Sequence, residues 1–267
     1  MVMMLRLGPK SLPVYGGALS PGCSRYHSAR YHHDTRWGEC DQQCVCVCVC
    51  VCYSRVSVCV CVCVTVGGVS VISSVVPADY DGDSQMDVLL TGHGSDLQHT
   101  KVFVFWGNNQ TLNQSERVDL NRTFNDQPLV MDFNGDMIPD IFGTVGKSTE
   151  VCYLRDRKLR CERALGSDVQ IRVPHSNAFI NLNKDFTADL FLSTGSNPVF
   201  EFETWINTDG NFTKNYTLKA PENIKRVGQS AFVDFDGDGS QDHLLPVCMD
   251  DACTKSAIYL SKPGEPE

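Results

Sequence analysis

The sequence predicts an all-β fold, part of a β-propeller, behind a disordered or low-complexity N-terminal segment. Three observations predict it. An acidic loop recurs four times, at spacings of 53, 49 and 53 residues. Short runs rich in β-branched and aromatic residues flank each copy and read as strands. No stretch shows sustained helical periodicity. A repeat near 50 residues with about four strands in it is the signature of a propeller blade.

The N-terminal segment, residues 1–71, stands apart. Eight of the chain's 14 cysteines lie in "CVCVCVCVCYSRVSVCVCVCV" (44–64). On a strand this alternation puts every Cys on one face and every Val on the other. Same-face neighbours on one strand do not reach disulfide geometry easily, and no Cys-x-x-Cys spacing for zinc occurs there. The tract reads as a translated TG-dinucleotide repeat, with a metallothionein-like metal tract as its rival. Residues 56–78 carry no charge and are long enough to span a bilayer. Gly67 and Gly68 interrupt that run, however, and half of its hydrophobicity comes from the repeat, so no membrane helix is expected. The first 22 residues lack the apolar core of a secretory signal.

The four acidic loops follow, in the segment 72–262. They are "ADYDGDSQMDVLL" from Ala78, "MDFNGDMIPDIFG" from Met131, "INLNKDFTADLFL" from Ile180 and "VDFDGDGSQDHLL" from Val233. Oxygen-bearing side chains stand at positions 1, 3, 5 and 9. The first loop has Asp79, Asp81, Asp83 and Asp87, and the second has Asp132, Asn134, Asp136 and Asp140. The third has Asn181, Asn183, Asp185 and Asp189, and the fourth has Asp234, Asp236, Asp238 and Asp242. Calcium takes six to eight oxygens, and alternate side chains in a tight loop converge on one ion. Gly82, Gly135 and Gly237 at position 4 permit the turn.

An EF-hand requires Gly at position 6 and Glu at position 12. Position 12 here is Leu90, Gly143, Leu192 or Leu245, and the flanks are strands rather than helices. An Asp-rich solvated turn is the bland alternative for any one loop; four loops in register weigh against it. Further strands are expected at 101–108, 200–207 and 256–261, and residues 263–267 form a tail. A net charge of −9 argues against nucleic acid as a partner. No Gly-x-Ser-x-Gly elbow, His-Glu-x-x-His motif or phosphate-cradling Gly loop occurs, so an enzyme is not expected. His175 and His243 read as structural.

At these loops the chain resembles the integrin-α type FG-GAP repeats. "SVVPADYDGDSQMDVLLTG", "FWGNNQTL", "LNRTFNDQPLVMDFNGDMIPDIFG", "DFTADLFLSTG" and "VGQSAFVDFDGDGSQDHLLP" resemble the T-cell immunomodulatory protein family, from about Ile72 to about Leu260. The resemblance implies a propeller with structural calcium in its blade loops. It also implies a single-pass type I membrane glycoprotein at the extracellular face of the plasma membrane. The anchoring C-terminal helix and the signal peptide are not found in this chain, which is therefore expected to be a fragment with an aberrant N-terminus. The partner implied is a cell-surface or extracellular protein, in adhesion or T-cell modulation. The alternatives are an accessory domain of a secreted phospholipase-type hydrolase and a purely structural spacer.

Five Asn-x-Ser/Thr sequons, at Asn109, Asn113, Asn121, Asn211 and Asn215, cluster in two polar segments away from the acidic loops. Glycosylation is expected in a secretory-pathway protein. Cys152 and Cys161 bracket one short segment, and Cys248 and Cys253 bracket another. Local disulfides are expected for both in an oxidising compartment, with free thiols as the alternative.

Overall fold

The computed structural model describes residues 2–7, 43–53, 56–109, 111–166, 169–195, 199–220 and 223–261. The expectations for residues 8–42 and for the tail at 263–267 lie outside the described residues. Among the described residues regular structure is β, apart from one 3-10 turn at Arg155–Arg157.

Strands β1 (Val2–Leu7), β2 (Gln43–Tyr53) and β3 (Val56–Val66) form one antiparallel sheet. The Cys–Val tract thus runs as two paired strands, with Cys46 opposite Cys63 and Cys48 opposite Cys61. Alternate β-branched valines favour this extended backbone. The uncharged stretch 56–78 is divided between β3 and the next strand. Among the described residues no helix is long and apolar enough to cross a membrane.

The first three repeats follow one plan, four strands paired in order, and the fourth departs from it. Strands β4 (Val71–Ala78), β5 (Asp87–His93), β6 (Thr100–Asn108) and β7 (Thr111–Phe124) pair in order. So do β8 (Leu129–Met131), β9 (Asp140–Val145), β10 (Ser148–Tyr153) and β11 (Arg160–Arg163). The third set is β12 (Ala178–Ile180), β13 (Asp189–Thr194), β14 (Glu201–Thr208) and β15 (Asn211–Lys219). In the last set, β16 (Arg226–Val227), β17 (Ala231–Val233) and β19 (Ser256–Ser261) all pair with β18 (Asp242–Cys248). In every repeat the acidic loop joins two antiparallel strands across eight residues: 79–86, 132–139, 181–188 and 234–241.

The chain divides into two compact units. One holds residues 1–78, 84–97 and 101–121; the other holds 79–83, 98–100 and 122–267. The first is cored by Val66, Val69, Val88, Leu90, Phe103 and Phe105. The second has two clusters, one around Phe133, Phe142, Leu190 and Trp205 and one around Phe191, Phe202, Leu245 and Val247. Strand β13 is buried along its whole length. That suits the unbroken "DLFLST", because a strand covered on both faces has no solvent side on which to alternate.

Candidate calcium loops

Each loop is wound by its own side chains. At position 1, Asp79, Asp132 and Asp234 accept the position-4 amide, each at 2.7 Å. At position 3, Asp81, Asn134, Asn183 and Asp236 accept the position-5 amide at 3.0–3.2 Å. At position 5, Asp136, Asp185 and Asp238 accept the position-7 amide at 2.7–3.0 Å. Asn does this as well as Asp because its Oδ1 is an equivalent acceptor. The third loop therefore keeps the shared winding with fewer charges, and Asn181 accepts the Asp185 amide at 3.1 Å.

The winding needs left-handed backbone at two positions. Position 4 has φ of 84° at Gly82, 79° at Gly135, 63° at Lys184 and 80° at Gly237. Position 6 has 64° at Ser84, 66° at Met137, 70° at Phe186 and 82° at Gly239. Three of these eight are glycine at position 4, where the sequence marks the turn. At position 6 only one is, so that requirement is hidden in the sequence.

Position 9 is the first residue of the following strand in all four repeats, and Asp87, Asp140, Asp189 and Asp242 are all buried. Their carboxylates bind backbone. Asp140, Asp189 and Asp242 accept the position-2 amides of Phe133, Leu182 and Phe235 at 2.8–2.9 Å. Asp87 accepts Gly107 N–H at 2.7 Å, and the second oxygen of Asp189 accepts Asn207 N–H at 2.8 Å. Position 9 thus fastens the loop to its own start and to the neighbouring strand. Burial raises the Asp189 carboxyl above its ordinary value, and the Asn207 and Leu182 amides oppose the shift. Burial pushes Asp140 up to about 7, opposed by the Phe133 amide and reinforced by Asp136 and Asp132.

The first and fourth loops gather their oxygens most closely. Ligand atoms of Asp79, Asp81 and Asp87 all lie within 4.8 Å of one another, and so do those of Asp234, Asp236 and Asp242. Oxygens 2.3–2.6 Å from one calcium ion are at most about 5 Å apart, so both trios fit its shell. The donors are all hard oxygens, which suits calcium rather than a thiophilic metal. Asp83 and Asp238 at position 5 stand outside these trios; the Oδ1 of Asp238 accepts the Ser240 amide at 2.7 Å. In the third loop, Asn183 donates its side-chain amide to Asp185 at 2.8 Å. The Thr187 amide holds the Asp185 carboxyl below its ordinary value, and Asn183 adds to this.

Two arginines of one turn meet the first two loops. Arg157 Nε donates to Asp81 Oδ2 at 2.6 Å and its Nη2 to Asp83 Oδ2 at 3.3 Å. Arg155 Nη1 donates to Asp136 Oδ2 at 3.3 Å. The turn lies between Cys152 and Cys161, which are disulfide-bonded. Cys248 and Cys253 form a second disulfide.

Four of the sequon asparagines, Asn109, Asn121, Asn211 and Asn215, are exposed, while Asn113 is half-buried. Asn109 follows β6, Asn113 and Asn121 lie on β7, and Asn211 and Asn215 lie on β15, the edge of its sheet. Asn113 Oδ1 accepts both the amide (3.1 Å) and the hydroxyl (2.8 Å) of Ser115 in its own sequon.

Residues 79–143 match the FG-GAP-like repeat family. The chain is 53% identical over 199 residues to the human (Homo sapiens) T-cell immunomodulatory protein, covering 73% of this chain and 32% of that protein. It is 52% identical over 198 residues to the mouse (Mus musculus) T-cell immunomodulatory protein, with the same shares. It is 25% identical over 197 residues to protein linkin of Caenorhabditis elegans, covering 66% of this chain and 32% of linkin. The chain spans about a third of the length of these curated relatives.

Proposed function

Because the chain belongs to the T-cell immunomodulatory protein family, we propose that it is a calcium-braced extracellular module of a cell-surface glycoprotein. It acts by binding another cell-surface or extracellular protein, and through that contact in immune modulation. The observation that carries the calcium reading is the pair of carboxylate trios in the first and fourth loops. Asp79, Asp81 and Asp87 hold one ion, and Asp234, Asp236 and Asp242 hold another. The second loop, with three carboxylates, binds more weakly, and the third, with two, is weakest or empty.

The ion's role is structural. Carboxylates crowded at a strand-connecting turn repel one another, and a bound divalent cation reverses that penalty. Two disulfides belong to an oxidising compartment. That supports the secretory pathway and glycosylation of the exposed sequons. The relatives' names denote immunomodulatory proteins and no enzyme.

The test is to secrete the labelled chain from a glycosylating host and measure its binding to T cells. Calcium-dependent, saturable binding is expected, and it should be lost when Asp79, Asp81, Asp234 and Asp236 are all changed to Asn. Equal binding in calcium and in chelator would remove calcium from the account. No binding in either condition would remove the interaction role.

A further inference from the structure

We infer that Arg157 is a built-in counter-ion of the first acidic loop, competing with calcium for Asp81 and Asp83. This rests on the calcium reading above. Asp81 is almost fully buried, and its Oδ1 already accepts the Asp83 amide at 3.1 Å. Its other oxygen, Oδ2, accepts from Arg157 Nε at 2.6 Å, so a metal that takes Oδ2 must displace the guanidinium. Arg157 Nη2 takes Asp83 Oδ2 at 3.3 Å. A buried carboxylate needs a positive partner, and a planar guanidinium that spans two carboxylates supplies one.

The turn that carries Arg157 is shaped for this placement. Asp156 and Arg157 have φ of 55° and 61°, a left-handed pair without glycine. Such backbone persists only where its surroundings hold it. Here the Asp156 amide donates to the Asp81 carbonyl at 3.0 Å, so the turn docks on the loop by backbone as well as by side chain. The Cys152–Cys161 disulfide closes the base of the same segment. Arg155 reaches Asp136 of the second loop, but it is 63% exposed and its contact is long, so its grip is the weaker one.

Two consequences follow. Part of the first loop's negative charge, at Asp81 and Asp83, stays compensated when calcium is absent. Its apparent calcium affinity is also lowered, by the fraction of molecules in which Arg157 is docked. The first and fourth loops carry equal numbers of carboxylates, so charge count alone would rank them together. Arg157 separates them and makes the first loop the weaker.

The experiment uses the full chain with terbium as the probe and calcium as its competitor. Tyr80 stands at position 2 of the first loop, where the others carry Phe133, Leu182 and Phe235. Tyr153 interacts electrostatically with Asp140 of the second loop, so the part of the tyrosine-sensitised terbium emission that is lost in a Tyr80→Phe background reports the first loop. Arg157→Gln is expected to tighten the Kd of terbium and, once the displacement curve is corrected for terbium occupancy, the dissociation constant of calcium, each by about three- to tenfold, and to lower the melting temperature in chelator. Arg157→Lys, which keeps the charge but loses the planar fork, should fall between wild type and Arg157→Gln. If Arg157→Gln bound calcium with unchanged or weaker affinity, the competition would be refuted and the calcium site would stand. If neither wild type nor variant showed calcium-displaceable emission, both the competition and the site would fall.

Discussion

Asp189→Ala probes the part of the loop that holds without any ion. The Asp189 side chain is 0% exposed, and its two oxygens accept the Leu182 and Asn207 amides, each at 2.8 Å. Alanine leaves both donors in a dry interior with no acceptor. Each orphaned buried group costs about 1–3 kcal/mol, so the substitution should destabilise by about 2–6 kcal/mol. That is a large fraction of the ~5–15 kcal/mol that holds an ordinary domain together. Asp189→Asn keeps one acceptor and should cost about half as much. The assay is urea unfolding of the chain followed by tryptophan fluorescence, since Trp205 lies two residues from Asn207 on β14. The third loop carries only two carboxylates, so the loss should be the same in calcium and in chelator. An unchanged midpoint for Asp189→Ala would refute the reasoning. So would a loss seen only when calcium is present, since position 9 would then act purely as a ligand.

Phe133 and Phe235 occupy position 2 of their loops but sit in different surroundings. Phe133 is 3% exposed and lies 4.5 Å from the ring of Phe212, whereas Phe235 is 64% exposed. Phe133→Ala should cost about 3–5 kcal/mol and Phe235→Ala within about 0.5 kcal/mol; equal costs by urea unfolding would contradict this. His243 packs 4.6–5.2 Å from the rings of Phe191, Phe202 and Phe232, and burial lowers its pKa from 6.5 to about 4. The unfolded chain takes up a proton that the folded chain refuses. Stability from this group is therefore present above pH 6.5 and lost as pH falls towards 4. Asp140, raised to about 7 by burial, acts with the opposite sign in chelator, so the informative comparison is wild type against His243→Phe. The variant should lose less stability between pH 6.5 and 4, and parallel curves would count against a neutral buried histidine.

The recurrence of Asp and Asn at fixed offsets made the four loops legible, because ligand chemistry and turn chemistry demand the same residues there. Their flanking strands were legible for a related reason: short β-branched runs beside a tight loop leave little room for a helix. The double role of position 9 was not legible. Asp189 reads as one more ligand until β14 brings the Asn207 amide against it, and that neighbour is set by sheet pairing. Arg157 was hidden for the same reason, since 76 residues separate it from Asp81. Position 6 was hidden because Met137 and Phe186 adopt a backbone that their side chains do not advertise. Cys152 and Cys161 invited pairing by their spacing, and the register of β10 against β11 sets them opposite each other. The Cys–Val tract carries alternation but no turn or core signal, so composition alone did not identify its partner strand.

The most direct test of the central claim is thermal unfolding of the chain across a calcium titration, from excess chelator to millimolar calcium. Binding to the native state alone stabilises by about 2.7 kcal/mol per site at a hundredfold excess over Kd. The melting temperature is expected to rise with calcium and fall back on chelation. The Asp79→Asn/Asp234→Asn double variant should lose most of that rise. Superimposable melting curves at every calcium concentration would show that the acidic loops are solvated turns and not ion sites.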